Sequence, residues 1–256
     1  MKTSVTIGWF LIAIMLVFTT TGCVKSIASD DDITIDYQYH NQVTGTSAKD
    51  ILSDDAYTSI TIEVQHMKGI TPDSAALENL KAFLYENTHK PKGIDIVMKE
   101  IPSFTANSIT LNEAAEMEKR NRQLFSKKKD LALYVLYTDG YFADPNYLGW
   151  AYRNTSIVLF GRKLQESSES TGKPSRTKLE TTVLLHEMAH LLGLVNVGTP
   201  LQSDHKDDDH GKHCANPDCL MYYQIGINES LSILLKKGIP KLDAACLADL
   251  RANGGR

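Results

Sequence analysis

Residues 179–193 read Leu-Glu-Thr-Thr-Val-Leu-Leu-His-Glu-Met-Ala-His-Leu-Leu-Gly, and within them His186, Glu187 and His190 stand in the spacing His-Glu-x-x-His. Leu184, Leu185, Met188, Ala189, Leu191 and Leu192 make a helix here apolar on most sides, which predicts a buried helix. Two histidines and a glutamate inside such a helix are costly without a partner. On a helix, positions i and i+4 lie about 40° apart around the axis and about 6 Å along it, so both imidazoles reach one metal ion. Glu187 lies about 100° round from His186 and addresses the ion's surroundings without being a ligand. Zinc held by neutral histidines lowers the pKa of its water, and a neighbouring carboxylate takes up the proton and passes it to a leaving amine. That is the chemistry that hydrolysis of an unactivated amide needs.

Working outward, the residues before this helix alternate between strand and helix signals. Residues 57–65 alternate β-formers with polar residues, and 94–101 read as a second strand. Between them Thr71 is read as an N-cap with Pro72 at the first helical position, followed by the stripe Ala76, Leu77, Leu80, Phe83 and Leu84. Residues 111–125 are expected to be helical. The continuously apolar 131–137 should be a central strand buried on both faces, and 148–152 and 156–160 are shorter strands. The breaker-rich 166–177 form a loop. After Gly193 regular patterning stops until C-terminal helical stretches at 228–235 and 242–251. The fold class expected is α+β, a mixed twisted sheet with backing helices.

The chain has 256 residues, 27 basic against 31 acidic, and a formal net charge of −4, so nothing in its charge favours nucleic acid as a partner. Its four cysteines are too few for a disulfide scaffold. The first is explained by its position. Lys2 precedes the apolar run 5–18, which is shorter than the roughly 20 residues a membrane-spanning helix needs and reads as a signal-peptide core. The junction Thr20-Thr21-Gly22-Cys23 resembles a bacterial lipoprotein signal box, although the position three before the cysteine, usually Leu, holds Thr20. The expectation is a signal peptide at 1–22, lipidation of Cys23, a polar tether over 23–55 and a catalytic domain over 56–256. The resemblance implies a cell-envelope location, anchored by lipid to the membrane, with the outer membrane favoured because Val24 replaces the Asp of inner-membrane retention.

The third ligand has to come from beyond the helix. Gly193 extends the motif to HExxHxxG, and glycine there permits a left-handed helix exit. At this point the sequence resembles the metzincin clan of zinc endopeptidases, whose motif runs HExxHxxGxxH and is followed by a Met-turn. The position of the third histidine holds Asn196, a poor zinc ligand. Cys219-Leu220-Met221-Tyr222-Tyr223 looks like the Met-turn. In matrixin-like metzincins and archaemetzincins the third histidine precedes that Met by eight residues, which lands on His213. Archaemetzincins follow that histidine with C-x4-C-x-M, matched by Cys214, Cys219 and Met221. The resemblance therefore implies His186, His190 and His213 as zinc ligands, with an insertion before His213 and with His205 as the runner-up. It implies Glu187 as general base and acid, and Met221 as a support beneath the histidines. Tyr223 is either a packing residue or a group able to approach the metal, and 148–152 can pair with an extended substrate by strand addition.

In archaemetzincins a later CxxC joins the first two cysteines in a structural zinc site, whereas this chain has only Cys246. Two readings stay open: one disulfide with a free thiol, or a zinc site of three cysteines and either His205 or His210. The acidic Asp207, Asp208 and Asp209 read as an exposed loop. The function expected is zinc-dependent, endopeptidase-like hydrolysis of protein or peptide substrates by a lipid-anchored metallopeptidase. Its rivals are a zinc-binding surface lipoprotein without turnover and a cell-wall peptide amidase. Retention of Glu187 favours an enzyme, because a pure binding site has no need of it.

Overall fold

The computed structural model describes residues 35–256 apart from 104–106, 145, 169–170, 227–233 and 236–237. The signal-peptide stretch, Cys23 and most of the expected helix at 228–235 lie outside the described residues. No helix among those described is long and apolar enough to cross a membrane.

The apolar run at its centre organises the sheet. β4 (Asp130–Thr138) is buried at every position after the first. It lies between β1 (Ser59–Met67) and β7 (Ser156–Phe160), parallel to both. β2 (Ile94–Ile101) pairs parallel to β1 on its other side and forms one edge. β6 (Gly149–Arg153) turns back antiparallel on β7 and forms the other, giving the order β2-β1-β4-β7-β6. Two further strands, β3 (Ser108–Ile109) and β5 (Tyr141–Phe142), make a separate parallel pair. The structure is thus the expected mixed sheet with backing helices.

Helices α2 (Ser74–Asn87) and α5 (Arg176–Leu191) cover one face of the sheet, where Ile62, Val64, Leu133, Val135, Leu80, Leu84, Val183 and Leu184 share one core. On the other face Ile109, Ala114 and Met117, the last two on α3 (Leu111–Asn121), pack on Tyr134, Leu136, Val158 and Phe160. The start of α2 differs from the sequence reading. Its N-cap is Asp73, whose carboxylate accepts from Ala76 N at 2.9 Å, so Pro72 precedes the cap. Asp73 also ties α2 to α5: its N–H donates to Glu180 at 2.7 Å and its carboxylate accepts from Thr177 at 2.8 Å. This junction fixes the helix that carries the motif. Helix α3 stops at Asn121, short of the expected 125, because Arg122 turns inward to pair with Glu118 at 2.6 Å and to donate to Ala132 O at 2.9 Å.

The stretch expected to be a tether is in its described part a structural element. Residues 38–47 form a strap against the sheet's outer edge and lead into α1 (Ala48–Leu52), whose Ala48, Ile51 and Leu52 are buried. The buried Lys90 ammonium donates to the carbonyls of Asp50 and Tyr57, at 2.8 and 2.7 Å, and to that of Ser53. A short α4 (Gly161–Glu166) follows β7, and α6 (Ala244–Ala252) closes the chain, capped by Asp243.

Candidate metal centre

The motif helix α5 starts at its N-cap Ser175 and buries His186, Glu187 and His190. It ends at Leu192, and Gly193 follows with φ of 79°. A Cβ at Gly193 would stand 2.6 Å from Thr199 N and 2.8 Å from Ala48 Cβ, so only glycine allows the chain to fold back here. The excursion that follows spans about twenty residues and returns at His213. A tight turn then carries the buried Met221, whose carbonyl accepts from Cys214 N at 2.8 Å.

This path brings His186, His190 and His213 together, with one ring nitrogen of each lying within 4.8 Å of the others. Each Nδ1 faces a backbone carbonyl: Leu220 O at 2.8 Å from His186, Leu194 O at 3.3 Å from His190, and His210 O at 2.8 Å from His213. A carbonyl only accepts, which assigns the proton to Nδ1 and leaves the Nε2 lone pair free on all three rings. Burial, and then the neighbouring His213, hold His186 down to about 3. Burial likewise lowers His190 and His213, so the three rings are neutral near pH 7. Neutral imidazoles, oriented through their second nitrogen, are the donor set that zinc takes. Asn196 is exposed on the excursion, outside this group.

Glu187 lies beside the cluster without belonging to it. Its Oε2 accepts from Ala151 N on β6 at 2.7 Å, and burial pushes its carboxyl up to about 8, opposed by that bond. A cleft of about 410 Å³ opens over these residues. Tyr147, Gly149 and Trp150 line one side, and His210, Lys212 and Tyr223 complete the wall. His210 stacks on Tyr223, with ring centroids 3.5 Å apart and planes 4° from parallel. The chain's pattern marked Tyr223 but gave no sign of that stack.

The runner-up ligand His205 sits elsewhere. With Cys214, Asp243 and Cys246 it forms a second group whose donor atoms all lie within 4.8 Å of one another. Its Nδ1 is 3.4 Å from Cys214 Sγ and 3.9 Å from Cys246 Sγ, and its Nε2 is 2.7 Å from the fully buried carboxylate of Asp249. Cys219 Sγ lies 3.7 Å from Cys246 Sγ and accepts from the backbone N–H groups of Met221 and Asp243, each at 3.4 Å. The hydrogen bond from Cys246 and those N–H groups pull the Cys219 thiol down to about 7, against burial. The three cysteines are thiols, with no disulfide among the described residues. His210, the other histidine offered for this group, is at the cleft instead.

No family model matches the chain, and no curated protein matches it. Among solved structures it is similar to the crystal structure of archaemetzincin from Methanopyrus kandleri, at 14% sequence identity and a TM-score of 0.48. The match covers 77% of this chain and 96% of that one. A likeness so remote bears on neither activity nor residues; what the site can do follows from its own side chains.

Proposed function

We propose that the chain is a zinc-dependent peptide hydrolase in which His186, His190 and His213 hold the metal. The observation that carries this reading is the convergence of three neutral imidazoles, each tied through Nδ1 to a carbonyl, beside a carboxylate that stays outside the ligand group. A zinc ion held there supplies Lewis acidity toward a peptide carbonyl and toward water. The charge of a bound zinc would favour the ionised form of Glu187 against the burial that raises it, and its carboxylate would then take the proton of the attacking water and deliver it to the leaving nitrogen. The Ala151 N–H fixes one carboxylate oxygen, which leaves Oε1 for the proton. The edge strand β6 borders the cleft and lets an extended peptide lie alongside it.

A structural zinc site is proposed on Cys214, Cys246 and His205 of the second group, with Cys219, 3.7 Å from Cys246 Sγ, as the fourth ligand in place of Asp243. Asp249 orients the histidine as a carboxylate orients a zinc-bound imidazole, and the N–H groups on Cys219 favour thiolate. Lipid attachment at Cys23 and a cell-envelope location belong to the same proposal and rest on residues 1–23 alone; the mass of the mature amino-terminal peptide tests them.

Metal analysis combined with a mixed-peptide digest tests the enzyme reading. Wild type should bind zinc and cleave, and Glu187→Ala should bind zinc and leave peptides intact. If wild type binds zinc but cuts peptides no faster than Glu187→Ala does, the chain is a zinc-binding protein without turnover.

A further inference from the structure

The strap at 38–47 lies where a substrate strand would pair. On β6 the Ala151 N–H is taken by Glu187 and the Ala151 carbonyl by the hydroxyl of Thr44, at 2.8 Å. Beyond it, Asn154 N donates to Gln42 O at 3.1 Å, and the Asn154 side chain accepts from Gln42 N and donates to Tyr39 O and Ser47 Oγ. The strap then crosses from the sheet edge to the loop after α5. A Cβ built on Gly45 would stand 1.5 Å from Val197 O, and one on Gly198 would stand 2.1 Å from Gly45 O. The two backbones thus touch, with a glycine at left-handed φ on each side, 84° and 130°. Thr44 itself lines the cleft. The strap therefore occupies the Ala151 carbonyl on the outer edge of β6 and holds Asn154 just past the end of the strand, with Thr44 standing at that end of the cleft.

We infer that the strap closes one end of the cleft, so that the site takes peptides whose terminus lies within a few residues of the bond cut, and not internal bonds of long extended chains as the sequence suggests. Strand addition needs free N–H and C=O groups on the edge, and the strap's bonds to Ala151 and Asn154 leave the Gly149 side of Ala151 for it. The inference deepens the peptidase reading and rests on it.

The test uses the zinc-loaded full chain with a set of linear peptides and their head-to-tail cyclised counterparts, products being read by mass spectrometry. Wild type should shorten the linear peptides from an end into ladders and leave the cyclic ones uncut. Gly45→Ala and Gly198→Ala each force the strap off from opposite partners, and whichever folds should gain cleavage of the cyclic peptides. Internal fragments from linear and cyclic peptides alike in wild type would overturn the inference while leaving the peptidase reading standing. Failure to cut any peptide would overturn both.

Discussion

The carboxylate of Glu187 on α5 accepts a 2.7 Å hydrogen bond from the backbone N–H of Ala151 on β6. The residue next to His186 is thereby locked to the edge of the sheet, and the cleft takes its width from how closely α5 and β6 approach. Gly149 sets that approach, since a Cβ there would stand 2.6 Å from Leu159 Cδ2, 2.9 Å from Val183 Cγ1 and 3.1 Å from Glu187 Cγ.

Gly149→Ala is therefore expected to overpack this contact at a cost of about 1–3 kcal/mol. The loss of activity should be larger than the loss of stability implies, because a catalytic group misplaced by about 1 Å costs roughly 100-fold. Thermal unfolding, zinc content and peptide hydrolysis measured together check this. Unchanged turnover in a zinc-replete Gly149→Ala protein would mean that the helix-to-strand spacing does not govern Glu187.

His213 is held through the turn before it. Its Nδ1 faces His210 O, and that turn is built by Asp207, whose carboxylate lies 2.8 Å from His210 Nδ1 and accepts from the N–H groups of Asp209 and His210. Asp207→Ala should weaken zinc binding at the three histidines by less than the roughly 10–100-fold that losing a direct outer partner costs, because it reaches His213 only through His210. Competition with a chromophoric chelator measures it. Asp209→Ala, which removes a carboxylate without touching the turn's hydrogen bonds, should bind as wild type does.

Local spacing was enough to place α5, β4 and the approach of His186 to His190, because helix and strand periodicity are properties of neighbouring residues. The Met221 ruler extended this to His213, which the structure brings beside the other two rings. Interactions between distant segments were not legible. Residues 38–55 are polar by composition, yet they pack because Asn154 and Lys90, far away in the chain, satisfy the carbonyls of Tyr39, Asp50 and Ser53. The sequence leaves His205 as one of two histidines for the cysteine group, and only the packing of α6, which brings the buried Asp249 against its ring, distinguishes it from His210. Thr71 reads as the cap because Pro72 follows it, whereas the first turn's N–H at Ala76 goes to the Asp73 carboxylate.

His40 anchors the strap in the domain. Ser126 N donates to its Nε2 at 3.0 Å, and Thr155 Oγ1 and an Arg122 nitrogen lie 2.9 and 3.0 Å from its Nδ1. Burial, and then the Arg122 guanidinium, hold its pKa down from 6.5 to about 3. Between these values the unfolded chain binds a proton that the folded one refuses, so this contribution is complete above pH 6.5 and is lost as pH falls toward 3. The slope approaches about 1.4 kcal/mol per pH unit well below 6.5, for a loss of about 2 kcal/mol between pH 7 and 5. Denaturant unfolding at pH 7 and pH 5 should show that extra loss in wild type and not in His40→Gln. Equal losses in the two would remove His40 as the source.

If the two donor groups are separate zinc sites, their metal can be counted independently. The first needs His186, His190 and His213; the second needs Cys214, Cys246 and His205, with Cys219 beside Cys246 as its proposed fourth ligand. Elemental analysis should then find two zinc ions per chain in wild type, and one each in His213→Ala and in Cys246→Ser. The two substitutions should differ in what else they remove. His213→Ala abolishes peptide hydrolysis and leaves the melting temperature close to wild type. Cys246→Ser lowers the melting temperature, since Cys246 joins α6 to the Met221 turn through Cys219, and structural zinc binding is coupled to folding. A Cys246→Ser protein with wild-type zinc content, or a wild-type chain lighter by two hydrogens with Cys219 and Cys246 linked, would replace the second metal site with a disulfide.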